Sequence, residues 1–149
     1  MTLLEDAIAI AVEAHRGQID KAGAPYILHP LRLMLRMHTE HAQIAAVLHD
    51  VVEDTPWTLD GLRDAGFPSA VVHTIDCLTR RPDESYEAFV ARASTDAVAR
   101  EVKLADLEDN MDIRRIAAFG PSDAERLARY HRAWLALTHP DQEPDTRSA

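Results

Sequence analysis

The sequence predicts an all-α protein, a globular bundle of about eight helices without a sheet. Three observations predict it. Apolar residues recur at helical spacing along most of the chain. Ala, Leu and Arg are abundant, while only five Gly and three Phe occur, a mix that favours helix over strand. The polar segments between the periodic stretches are short, so neighbouring helices pack as a bundle rather than a solenoid. A chain of 149 residues suits one domain with one core, expected over residues 1–138 with a polar, frayed tail at 139–149.

The elements follow in order. In residues 2–16, Leu4, Ala7, Ile8, Ala11, Val12 and His15 fall on one helical face. "GQIDKAGAPYILHP" (17–30) holds two Gly and two Pro and reads as a loop. Pro30 is suited to open the next helix, to about residue 38. Residues 41–53 form a strongly apolar helix stopped by Thr55-Pro56. Thr58 caps a short helix through Leu62, closed by Gly66. Pro68 or Ser69 opens a helix to Leu78, and Ser85 or a neighbour opens one through Arg92. Asp96 caps a long helix to about Ile116, and Pro121 or Ser122 starts the last, to about Leu137.

Composition narrows the function. A net charge of −9 argues against a broad nucleic-acid surface, which is normally basic. No run approaches the roughly 20 apolar residues needed to cross a bilayer. The N-terminal stretch has Glu5, Asp6 and Glu13 and lacks the basic start of a signal peptide. The single cysteine, Cys77, excludes an internal disulfide and fits a reducing, cytoplasmic setting. Oligomeric partners are not legible.

The chemistry concentrates in "IAAVLHDVVEDT" (44–55). His49, Asp50, Glu53 and Asp54 interrupt an apolar helix, and charged groups that leave water cost several kcal/mol unless paired. Positions i and i+4 share a helical face, so His49 lies above Glu53 and Asp50 above Asp54. Three carboxylates so close repel unless a cation joins them, and the segment has no Lys or Arg. A divalent metal held by His49 and Asp50 resolves this, with further ligands from outside the helix. His29, fixed before Pro30, is the best candidate, although a lone loop His before Pro more often caps or faces solvent. Asp106 sits in mid-helix, where Asp is unfavourable, with Asn110 one turn on. Glu108, Asp109 and Asp112 beside it allow a plain charged face just as well.

"AHRGQIDKAGAPYILHP", "AAVLHDVVEDT" and "VKLADLEDN", in that order from about Ala14 to Tyr130, resemble the HD-domain hydrolases of the RelA/SpoT group, including the small alarmone hydrolases. The resemblance implies an all-helical fold. It implies that His29, His49, Asp50 and Asp106 hold one metal, manganese before other transition divalents, and that Glu53 and Asp54 position and deprotonate the attacking water. It implies substrate contacts for Lys21, Asn110 and Tyr130, with Asp20 in the substrate loop. The donor types agree, since two His and two carboxylates suit a divalent transition metal, and such a metal acidifies water and polarises a phosphoryl oxygen.

The chain departs from the family in its basic positions. The family's Arg-Lys is Asp20-Lys21 here, removing an Arg that stacks on the base, a contact of about 0.5–2 kcal/mol. Leu107 replaces an Arg or Lys, and Asp109 and Asp112 stand where the family often has His and Arg. Leu107 can simply pack and Asp109 can face solvent, while Arg16, Arg114 and Arg115 can supply compensating charge. The first expectation is a stand-alone hydrolase that removes the 3′-pyrophosphate of guanosine-3′,5′-bis(diphosphate). The second is a related enzyme for an adenine-based or less charged nucleotide. The third is a non-catalytic metal-binding HD module, against which intact Glu53 and Asp54 speak.

Overall fold

The computed structural model describes residues 2–141. Among them are nine α-helices: α1 (Leu3–Ala14), α2 (Leu28–Leu35), α3 (Glu40–Leu48), α4 (Val51–Asp54), α5 (Leu59–Asp64), α6 (Ser69–Cys77), α7 (Tyr86–Ala93), α8 (Ala97–Asn110) and α9 (Pro121–Thr138). A 3-10 turn at Ile113–Arg115 joins α8 to α9. The β structure among these residues is one isolated bridge, Ile19 to Pro25. Residues 142–149 of the expected tail lie outside the described residues.

Side chains start the helices where the sequence places them. Thr2 forms a capping box with Glu5, and Thr58, Ser85 and Asp96 each accept an amide N–H from the first turn of α5, α7 and α8. Pro121 opens α9 as its first residue.

Three boundaries differ from expectation. α2 begins at Leu28, so His29 and Pro30 lie inside its first turn rather than before it. Pro30 is tolerated there because the first four amides of a helix have no intrahelical acceptor. The apolar helix expected at 41–53 breaks into α3 and α4 at His49-Asp50. His49 Nδ1–H donates to the Ala46 carbonyl at 2.7 Å, and Asp50 adopts φ −103°, ψ −2°, in the sparsely populated bridge region. The long helix expected to reach Ile116 ends at Asn110, because the Asp112 carboxylate accepts the Arg114 amide and starts the 3-10 turn.

The larger core gathers around α3, which packs against α1, α2, α6 and α8. Ala45, Ala46, Val47 and Leu48 are fully buried in it. A smaller core joins Val90 of α7, Leu107 of α8, and Ala133 and Leu137 of α9. α8 serves both: Val102 and Ala105 enter the larger core and Leu107 the smaller. Lys103, Asp106 and Asn110, three and four residues apart, form a third face of α8, and all line the cleft between the cores. Leu48, fully buried beside His49, gives a test of this arrangement. Leu48→Ala is expected to cost about 2–5 kcal/mol in chemical denaturation, and a loss below about 1 kcal/mol would contradict a close-packed core at the α3–α4 break.

Candidate metal centre and substrate cleft

A cleft of about 220 Å³ has walls that include His49, Asp50, Glu53, Asp54, Asp106 and Asn110. His49 and Asp50 come from the α3–α4 break, and Asp106 comes from α8 and is 7% exposed; His29, 2% exposed on α2, lies behind the wall against Asp106. His29 Nε2 lies 3.0 Å from Asp106 Oδ1. His49 Nε2 lies 3.0 Å from Asp50 Oδ2 and 3.5 Å from Asp106 Oδ1, yet is aligned with neither well enough for a hydrogen bond. His29, His49 and Asp50 place ligand atoms within 4.8 Å of one another, and so do Asp50, Glu53 and Asp54.

The two rings point their acceptors inward. His49 uses its Nδ1–H on Ala46, and His29 Nδ1 lies 2.5 Å from Asp109 Oδ2, closer than its Nε2 lies to Asp106, which favours the proton on Nδ1. In the neutral rings both Nε2 lone pairs then face carboxylate oxygens, which is repulsive without a cation between them. Burial acts to lower the His49 pKa, but the charge of Asp50 and contact with Asp106 carry it well above its ordinary value, as expected where carboxylates favour a positive charge. Burial acts to raise the Asp106 carboxyl, and the Lys103 charge with the two His contacts instead holds it well below the usual range. A buried nitrogen without a hydrogen-bond partner and a two-His, two-carboxylate donor set fit a divalent metal. A cluster able to bind one is therefore present.

Glu53 and Asp54 lie at the mouth. Glu53 Oε1 accepts the Arg80 amide at 2.8 Å. Burial raises the Glu53 carboxyl above its ordinary value, with the Arg80 amide opposing and the Asp50 and Asp54 charges adding to the rise. Burial and then the Asp50 charge raise Asp54 as well.

A second cleft of about 330 Å³ adjoins the first, and Asn110 and Tyr130 line both. Lys21, Asp20 and Arg115 line the second alone. Asn110 Nδ2 donates to Asp106 Oδ1 at 3.0 Å, so this residue touches the metal cluster as well as the second cleft. Asp20 turns into its own loop: Oδ1 accepts the Ala22 and Ala24 amides, each at 2.9 Å, and Oδ2 accepts Arg115 at 3.2 Å. Gly23 allows the turn with φ +82°. Arg16 does not reach Asp20 but pairs with Glu13. Asp20→Arg is expected to lower stability by about 1–3 kcal/mol in thermal melts, since it removes three acceptor contacts and sets a cation against Arg115. Equal or higher stability would show that the carboxylate does not hold this loop.

Of the other altered positions, Leu107 packs, fully buried, in the smaller core. Asp109 does not face solvent: besides His29 it accepts Arg32 Nε and Nη2 and Arg115 Nη1. Three residues that the sequence reading did not assign to the site touch it. Tyr26 donates its hydroxyl to Asp50 Oδ2, and Lys103 donates to Asp106 Oδ2 at 2.9 Å. Asp109 is the third, and its acidic type masked it among neighbouring carboxylates. Lys103 had a usable signal, as one of only two lysines beside 14 arginines.

No family model matches the chain. It is 31% identical over 135 residues to the guanosine-3′,5′-bis(diphosphate) 3′-pyrophosphohydrolase of Haemophilus influenzae, covering 80% of this chain and 20% of that protein. It is 31% identical over 140 residues to the bifunctional (p)ppGpp synthase/hydrolase SpoT of Escherichia coli, covering 85% of this chain and 20% of that one. Identity to the GTP pyrophosphokinase of Streptomyces coelicolor is 34% over 125 residues, 75% of this chain and 15% of that one. The chain thus spans about a fifth or less of the length of these relatives. A structure of a metazoan ortholog of SpoT that hydrolyzes ppGpp shares the fold, with TM-score 0.75 and 20% identity over 90% of this chain and 84% of that one. An all-helical bundle that brings a His-Asp pair to a second His and a distant Asp is an HD domain. Over most of its length this chain is similar to the RelA/SpoT-like members of that class.

Proposed function

We propose that the protein is a metal-dependent phosphohydrolase of a guanosine nucleotide carrying a 3′-diphosphate, most like guanosine-3′,5′-bis(diphosphate) 3′-pyrophosphohydrolase. The observation that carries the reading is His49 Nε2: buried, without a hydrogen-bond partner, between Asp50 and Asp106, in the same cleft as Glu53. The similarity to the guanosine-3′,5′-bis(diphosphate) 3′-pyrophosphohydrolase of Haemophilus influenzae supports the substrate class. His29, His49, Asp50 and Asp106 would hold the metal, manganese first. When bound, the metal would make water more acidic and draw charge from a phosphoryl oxygen.

The side chains supply the rest. Glu53, its carboxyl raised by burial, accepts a proton from the attacking water. Asp54 orients that water or Glu53. Lys21 offers a cation to the phosphates, and Asn110 and Tyr130, shared by the two clefts, hold the sugar between the reacting phosphate and the base. Net charge −9 argues against a nucleic-acid partner and is compatible with a small anionic ligand held by a metal and local cations. Among the described residues no helix is long and apolar enough to cross a membrane. The free, buried Cys77 supports a cytoplasmic setting.

One observation favours a second reading, a related enzyme for an adenine-based or less charged nucleotide. Asp20 occupies the family's base-stacking position and is engaged by Arg115. A panel of ppGpp, pppGpp, ppApp, NADPH and nucleoside monophosphates with Mn²⁺ decides between them. Release of pyrophosphate fastest from ppGpp is the expected result. Faster turnover of ppApp or NADPH selects the second reading, and inertness toward the whole panel rejects both.

A further inference from the structure

We infer that Asp109 is a positioning residue for His29: its carboxylate fixes the ring's tautomer and aim, and two arginines hold that carboxylate in place. The inference rests on His29 being a metal ligand, and it concerns a position where this chain differs from the family pattern.

The geometry is specific. Asp109 Oδ2 lies 2.5 Å from His29 Nδ1, against 3.0 Å between Nε2 and Asp106 Oδ1; a proton held on Nδ1 by the closer carboxylate leaves Nε2 as the acceptor aimed at the Asp106 side of the cluster. A ring nitrogen that donates to a carboxylate makes the other nitrogen a stronger and better-aimed ligand. The same carboxylate is gripped from two directions. Arg32 donates Nε to Oδ1 at 2.9 Å and Nη2 to Oδ2 at 3.0 Å, and Arg115 Nη1 donates to Oδ2 at 2.7 Å. The Asp109 side chain is only 12% exposed, so it is charged in a place that only its cationic partners make tolerable.

Arg115 extends the arrangement. Its Nη1 also donates to the Asp109 carbonyl at 2.9 Å, and its Nη2 reaches Asp20 Oδ2 at 3.2 Å. The substrate loop and the His29 side of the cluster therefore share one guanidinium. Asp20 and Asp109, both departures from the family, are joined through it. A purely structural role for Asp109 would explain the arginine pairs but not the bond to His29.

The test is calorimetric titration of the metal-free full chain with Mn²⁺, with far-UV circular dichroism and a metal-free melt for each variant. Asp109→Ala is expected to weaken Mn²⁺ binding by about 10–100-fold, the usual loss when an outer partner of a ligating His is removed. Asp109→Asn keeps an acceptor without charge, is expected to fall between Ala and wild type, and serves if Ala does not fold. Glu108→Ala is the control, because its carboxylate pairs with Arg36 on the outer side and is expected to leave affinity unchanged. Wild-type Mn²⁺ binding with both Asp109 variants within twofold of it overturns the inference and leaves the metal reading standing. Loss matched by Glu108→Ala overturns it also, as a general structural effect. Absence of Mn²⁺ binding in wild type overturns the metal reading and this inference together.

Discussion

Asp50→Ala is expected to abolish both divalent-metal binding and hydrolysis. Asp50 is the residue common to the two groups of potential ligands, His29-His49-Asp50 and Asp50-Glu53-Asp54. On the proposed reading it would link the metal ligands to the pair that handles water. Its Oδ2 faces His49 Nε2 at 3.0 Å and accepts the Tyr26 hydroxyl. Its backbone sits at the α3–α4 break, so no neighbour on a straight helix can replace it. Removing an outer partner of a ligand already costs about 10–100-fold in affinity; removing a ligand is expected to exceed that. The orphaned Tyr26 hydroxyl adds about 1–3 kcal/mol of instability, within reach of a stable domain. The measurement is Mn²⁺ titration with a phosphate-release assay on protein checked by circular dichroism. Affinity within tenfold of wild type would remove Asp50 from the ligand set.

Glu53→Gln is expected to separate metal binding from turnover. The amide matches the carboxylate in shape, and its oxygen can still accept the Arg80 amide, which Glu53 Oε1 accepts at 2.8 Å. What it loses is the ability to take a proton. Positioned acid–base groups contribute about 10²–10⁴-fold, so kcat is expected to drop by that range with KM and Mn²⁺ affinity nearly unchanged. Burial raises the Glu53 carboxyl in the direction a base working near neutrality requires. If kcat stays within threefold of wild type, Asp54, also raised by burial, becomes the base instead, and Asp54→Asn is the variant to measure.

Much of the fold was legible because its signals are local. The caps Thr58, Ser85 and Asp96 act on amides three residues away, and the period of α1 concerns one turn at a time. The break at His49-Asp50 was not legible, since it arises when an imidazole takes the Ala46 carbonyl, and a straight helix fits the same apolar pattern. His29 and Asp106 were named from their motifs, but their meeting spans 77 positions and their order along the chain says nothing of a 3.0 Å contact. For Asp109 the sequence left a solvent-facing charge open, since its neighbours Glu108 and Asp112 carry the same sign. Its partners come from two other segments, His29 and Arg32 from α2 and Arg115 from the 3-10 turn.

The sequence by itself determined the all-helical class, most helix starts, and which His and carboxylate groups are candidates to hold a metal and activate water. These depend on residue type and short spacing, which the chain carries wherever it folds. Only the tertiary structure decided what those groups face. It turned Asp20 inward onto Ala22, Ala24 and Arg115, drew Asp109 onto His29, and set Lys103 against Asp106. The reason is physical: a buried charge takes its state from whatever packing brings within a few ångströms, and α8, shared by two cores, brings Lys103, Asp106 and Asn110 to the cleft between them.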